Sequence, residues 1–107
     1  MVLYNVTVSI DASVSEEWLS WMRSTHIPEV LETGCFLECR LSKIHGEEDG
    51  GRSYSILYLC PNQETLDHYQ LHFAPALQAS HTKRFEGKFA AFRTFLTVIE
   101  EFKPCSR

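Results

Sequence analysis

The sequence lacks any run approaching the ~20 apolar residues that a membrane-spanning helix needs. It also lacks a basic patch. Its 10 Lys and Arg are scattered, only Lys83 and Arg84 adjoin, and the formal net charge is -4. Nucleic acids select clustered positive charge, so this balance argues against them as partners. No GxGxxG, GxxxxGK(S/T) or GxSxG pattern occurs, and the stretch from Gly46 to Gly51 has an acidic interior unsuited to phosphate. No nucleotide cofactor is indicated, and no cofactor of any kind is expected. The N-terminus has neither the basic start nor the long apolar run of a signal peptide. The expected compartment is the cytoplasm, where Cys35, Cys39, Cys60 and Cys105 are most simply free thiols.

What is present is a soluble, single-domain composition: 107 residues, 44% of them hydrophobic and 22% charged. Prolines and glycines are few enough that each one punctuates the chain. The clearest pattern is a proline-broken helix that occurs twice, over Ser15 to Leu31 and over Asn62 to Leu77. At an offset of 47 residues Glu17 and Glu64, Leu19 and Leu66, Met22 and Tyr69, and Pro28 and Pro75 fall in register. Pro28 removes the bond an amide there would make to the Ser24 carbonyl, so the helix should kink or restart.

Strands flank each helix. Val2, Tyr4, Val6, Val8 and Ile10 alternate with Leu3, Asn5, Thr7 and Ser9, which marks a strand with one apolar face. Ser13 and Glu16 fit a capping box. Further strands are expected over Cys35 to His45, Ser53 to Cys60 and Phe89 to Ile99, with Gly34 and Gly87 as stops. The order βαββαβ is the ferredoxin-like arrangement, an α+β fold with a four-stranded antiparallel sheet and two Pro-kinked helices on one face. Residues 1–99 form the domain and 100–107 a loosely held polar tail. The sheet's other face has no cover in a monomer. Leu3, Asn5, Thr7, Phe36, Arg40 and Ile44 belong there, with Tyr or Leu from the third strand and Arg93, Phe95 and Thr97 as candidates from the fourth. That mixed face is expected to meet a second copy of the chain.

Trp18–Met22, His26–Val30, Thr33–Gly34, Ala74–Leu77, His81–Phe85 and Gly87–Thr94 resemble a bacterial family of short proteins of unknown function. The resemblance covers the chain up to about Ile99. It implies the architecture of dimeric α/β-barrels, a superfamily that includes cofactor-free monooxygenases, haem-degrading monooxygenases, chlorite dismutases and lactone isomerases. It carries over no catalytic residues, and fold alone does not give function.

Several residues could carry chemistry. His26, beside the interrupted hydrogen bonding at Pro28, could give or take a proton near neutrality, or simply bond the loosened backbone. Arg40 and Arg93, with Asn5 and Tyr54 or Tyr58, could line a pocket between facing sheets. An arginine fork suits a carboxylate or enolate, while an ion pair to Glu38 of a second copy is the alternative. His68 and His72 share a helical face but lack the third ligand that a metal site needs. Trp18 and Trp21 read as core, and His81 to Phe85 reads as a cationic helix end. The functional expectation is a protein that binds or transforms a small molecule in a pocket of a dimeric barrel. A non-catalytic dimeric interaction module is the alternative. Haem binding, resting on Asn5 with His68 or His72, is third.

Overall fold

The computed structural model describes residues 1–46 and 49–105. Glu47 and Glu48 of the expected acidic loop, and the last two residues of the tail, lie outside them. Strand β1 (Val2–Asp11) leads through a short 3-10 turn to α1 (Ser15–Trp21), and α2 (Ile27–Glu32) follows. Strands β2 (Glu38–Lys43) and β3 (Gly51–Cys60), helices α3 (Gln63–His72) and α4 (Ala74–Arg84), and β4 (Phe89–Thr97) complete the chain. The sheet order is β2-β3-β1-β4 with every neighbouring pair antiparallel, as the ferredoxin-like order requires.

The two helical repeats accommodate their prolines differently. In the first, Met22–His26 form a π turn, in which the Ile27 amide reaches the Met22 carbonyl five residues back. This wider turn absorbs the missing donor of Pro28, which sits in the first turn of α2, where a donor is dispensable. In the second, α3 ends at Phe73, whose amide bonds the Tyr69 carbonyl at 2.9 Å. Helix α4 then starts afresh with Pro75 in its first turn. Asn62 caps α3 by accepting from the Thr65 amide at 2.8 Å. The expected Ser13–Glu16 box does not form; Asp11 instead accepts from the Ser13 amide and hydroxyl. Its carboxylate makes those two bonds locally and leaves Ser13 unavailable as a cap.

Both helical pairs cover one face of the sheet. Val2, Tyr4, Val8 and Ile10 of β1 and Tyr54, Ile56, Tyr58 and Cys60 of β3 meet Trp18, Met22, Val30, Leu66, Tyr69 and Phe85 in one core. The register corrects several expected positions. Tyr4 pairs with Phe95 and Val6 with Arg93, so Arg93, Phe95 and Thr97 share the helix-facing side with Tyr4. The third strand gives Leu57 and Leu59, not its tyrosines, to the open face, because Tyr58 pairs with Tyr4 and Leu57 with Asn5. Phe36 lies in the core, its ring 4.9 Å from that of Tyr58 and 4.7 Å from that of Tyr69. It precedes β2, so the alternation of that strand does not govern it.

Ile56 is central in the sheet and almost fully buried. Ile56→Ala is expected to cost about 2–5 kcal/mol by lost burial and an unfilled cavity. Urea unfolding checks this; a cost below ~1 kcal/mol would contradict the packing described.

Candidate functional site

Spacing and register bring together a set of polar side chains that the sequence scatters. Between the sheet and the helices lies a cavity of ≈ 40 Å³. Its floor is Tyr4, Val6 and Val8 of β1, Ile56 and Tyr58 of β3, and Ala91 and Arg93 of β4. Its roof is Met22, His26 and Val30 from the first helical repeat, and Tyr69, Leu77, Gln78 and His81 from the second. The steps of four from Met22 to Val30 hold His26 on the inward face, at the end of the π turn. Such turns are frequent at functional sites. A space of this size takes a few waters or the end of a ligand.

His81 is fixed by a hydrogen bond from Trp18. The indole Nε1–H donates to His81 Nε2 at 2.9 Å in the buried interior. An indole nitrogen can only donate, so His81 Nε2 must accept and its proton sits on Nδ1. Burial, and then the Arg93 charge, lower the His81 pKa to about 4. His26 is likewise lowered to about 4, by burial first, then by His81 and Arg93. The two rings lie 5.7 Å apart and Trp21 stacks on His26 at 5.0 Å. His26 Nδ1 is buried without a hydrogen-bond partner. Two neutral imidazoles therefore face one cavity at neutral pH.

Arg93 stands at the rim. Its Nε donates to the Tyr4 hydroxyl at 3.2 Å, and the residue as a whole is exposed. The Tyr58 and Tyr69 hydroxyls are held protonated far above their usual range, by burial first. Tyr4 stacks between Tyr58 at 5.7 Å and Phe95 at 5.2 Å, which locks the phenol that Arg93 touches.

The sheet divides the grouping expected from sequence. Arg93, Tyr58 and His26 meet in the cavity. Tyr54 faces the helices too, but it packs under Trp18 at 5.0 Å and outside the cavity lining. Asn5 is on the opposite face, accepting from Ser55 and donating to Thr7 at 3.1 Å. Arg40 is exposed on that face, 3.8 Å from Glu38 of its own chain. A pocket joining Asn5 and Arg40 to Arg93 is therefore ruled out within one protomer, because strand alternation points them apart. His81, expected at a cationic helix end, is instead buried and neutral. Its spacing with Ala74, Leu77 and Phe85 on one helical stripe was the available signal. The His68 and His72 rings lie 4.5 Å apart, tilted by 48°, on the exposed side of α3. Among the described residues no cluster of three His, Cys, Asp or Glu could hold a metal. Nor is any helix there long and apolar enough to cross a membrane.

Residues 1–99 match a family described as a domain of unknown function, DUF4286, and the chain belongs to that family. No curated protein matches it. Among solved structures, a dimeric ferredoxin-like protein from an uncultured marine organism is 14% identical, with a TM-score of 0.71 over 97% of this chain and 100% of that one. SnoaB, a cofactor-independent oxygenase from Streptomyces nogalater, is 11% identical, with a TM-score of 0.67 over 96% and 98%. The haem degrader MhuD of Mycobacterium tuberculosis, with two haems bound, is 18% identical, with a TM-score of 0.68 over 96% and 100%. At such identities these likenesses establish the fold alone. Haem does not fit the residues present. His81 Nε2 is taken by Trp18, His26 Nδ1 is buried, and a cavity of ≈ 40 Å³ is far below the size of a porphyrin. Asn5 and the His68–His72 pair lie on opposite sides of the sheet.

The two depressed histidines make stability depend on pH. Between ~6.5 and 4 the unfolded chain takes up protons that native His26 and His81 refuse, so stability falls as pH drops through that window. Below about 4 their contribution levels off. In an NMR titration two imidazoles are expected to titrate near pH 4; both titrating near ~6.5 would contradict the site. Trp18→Phe removes the donor at His81 Nε2, and is expected to raise the His81 pKa and cost about 1–3 kcal/mol.

Proposed function

We propose that this member of the DUF4286 family binds a small molecule in the cavity between sheet and helices, with His26, His81, Tyr4 and Arg93 as the contacting groups. One observation carries the reading: a buried His26 Nδ1 without a partner lies beside a second neutral imidazole around a space that can admit a polar group. A buried polar atom left unsatisfied costs about 1–3 kcal/mol, so a protein that keeps one has a use for it or a missing partner. The enzymatic neighbours are compatible with a site on this fold. Ala91 lines the cavity, and Ala91→Leu should fill it. In saturation-transfer NMR with a mixed panel of charged and neutral fragments, at least one is expected to bind the native protein and to be lost in Ala91→Leu. Fragment signals that are identical in both proteins would overturn the reading.

The second reading, a dimeric interaction module, is favoured by the open face and is compatible with the first. Phe92 is 65% exposed and Leu96 44% exposed there. They share that face with Leu3, Leu57 and Leu59 around the Asn5–Ser55 bond. We assign this face to a second copy of the chain, giving a homodimer of residues 1–99 with 100–107 as an appendage. Ile99, the last residue of the domain, is 96% exposed, and Phe102 of the tail is 83% exposed. Sedimentation at micromolar concentration should show a dimer, and Phe92→Glu with Leu96→Lys should shift it to monomer. A native protein that sediments only as monomer would sink this assignment.

A further inference from the structure

The charge of the cavity says what kind of molecule it takes. The chain carries 14 Asp and Glu against 10 Lys and Arg. Yet none of those acids is among the residues that line the cavity, and Arg93 is the one formally charged side chain there. Arg93 also has no carboxylate partner among the described residues, where the salt bridge present is Arg40–Glu38. Its Nε is engaged by Tyr4, so the two terminal nitrogens remain as a fork at the rim. That fork matches a carboxylate with two parallel charge-assisted hydrogen bonds.

A second polar feature is the pair of imidazoles. Because Trp18 claims His81 Nε2, His81 presents an N–H from Nδ1, which has no acceptor among the described residues. His26 Nδ1 beside it is also unpartnered. Aliphatic and aromatic side chains from both layers surround this polar pair, and a cavity of ≈ 40 Å³ leaves room for few atoms beyond it. A ligand that satisfies the site carries an anionic end for Arg93 and an uncharged oxygen for His81 and His26, a short distance apart.

We infer that the cavity binds a short-chain oxo- or hydroxy-carboxylate, its carboxylate on Arg93 and its second oxygen between His81 and His26. The inference rests on the small-molecule reading above and adds the class of ligand. The test uses pyruvate and lactate as probes, propionate to remove the second oxygen, and hydroxyacetone to remove the charge. Binding is followed by the chemical shift of the Trp18 indole N–H, which reports on His81. Pyruvate or lactate is expected to move that resonance, with propionate at least tenfold weaker and hydroxyacetone without effect. Arg93→Gln should weaken the acid at least tenfold, and Arg93→Lys, which keeps the charge and loses the fork, should fall between. Equal binding of hydroxyacetone and lactate, or acid binding unchanged in Arg93→Gln, would overturn the inference. If neutral or cationic fragments bind and are lost in Ala91→Leu while every acid fails, the ligand class is wrong and the pocket stands. If no fragment of any kind responds to Ala91→Leu, both fail together.

Discussion

The hydrogen bond from Trp18 to His81 is the constraint on which the rest of the site depends. It joins α1 to α4 across 63 positions of sequence, inside the core and against Tyr54 of β3 and Phe89 of β4. An indole that is fully buried must place its N–H on an acceptor, and here that acceptor is an imidazole. The choice has a chemical consequence. Burial, and then the Arg93 charge, keep His81 neutral, and because Nε2 accepts from Trp18 the remaining proton sits on the other nitrogen, which offers a donor. A structural contact between two helices thereby fixes the polarity of a cavity group.

The same logic runs through the neighbouring residues. Trp21 stacks on His26 and touches Phe85, so the first helical repeat is seated against the second by aromatic surface. The π turn at Met22–His26 lets the first repeat pass its proline without breaking, and it carries His26 as its last residue. On the sheet side, the stack of Phe95, Tyr4 and Tyr58 presents the Tyr4 hydroxyl to Arg93. Tyr4, His26 and His81 are each oriented by a packed aromatic, with no salt bridge among the described residues at the cavity. Because no acid balances Arg93 there, its field reaches both histidines and adds to their desolvation. A cavity of this character favours a partner that brings negative charge.

The two faces of the sheet have separate roles. The helix-facing side holds the aromatic core and the cavity. The other side holds Leu3, Leu57, Leu59, Phe92 and Leu96 around a short polar ladder of Asn5, Ser55 and Thr7. That ladder engages both ends of the Asn5 amide within the protomer, on the face away from the cavity. Strand alternation enforces the separation, since adjacent residues point to opposite faces.

The sequence by itself determined the order of elements, the antiparallel sheet and the positions of the helix breaks. These follow from local signals: period-two alternation in β1, the paired prolines, and glycines such as Gly34 and Gly87 that adopt a positive φ. It also marked His26 and Arg93 as residues with chemical potential. Only the tertiary structure decided which of them meet. The face of Arg93 depends on the pairing of β4 with β1, and a slip of one residue would have sent it to the other side. The tautomer of His81 depends on Trp18, a residue far away in sequence that no spacing rule connects to it. Local patterns fix periodicity within an element, whereas register and burial are set by contacts between elements, and it is those contacts that made a site from scattered residues.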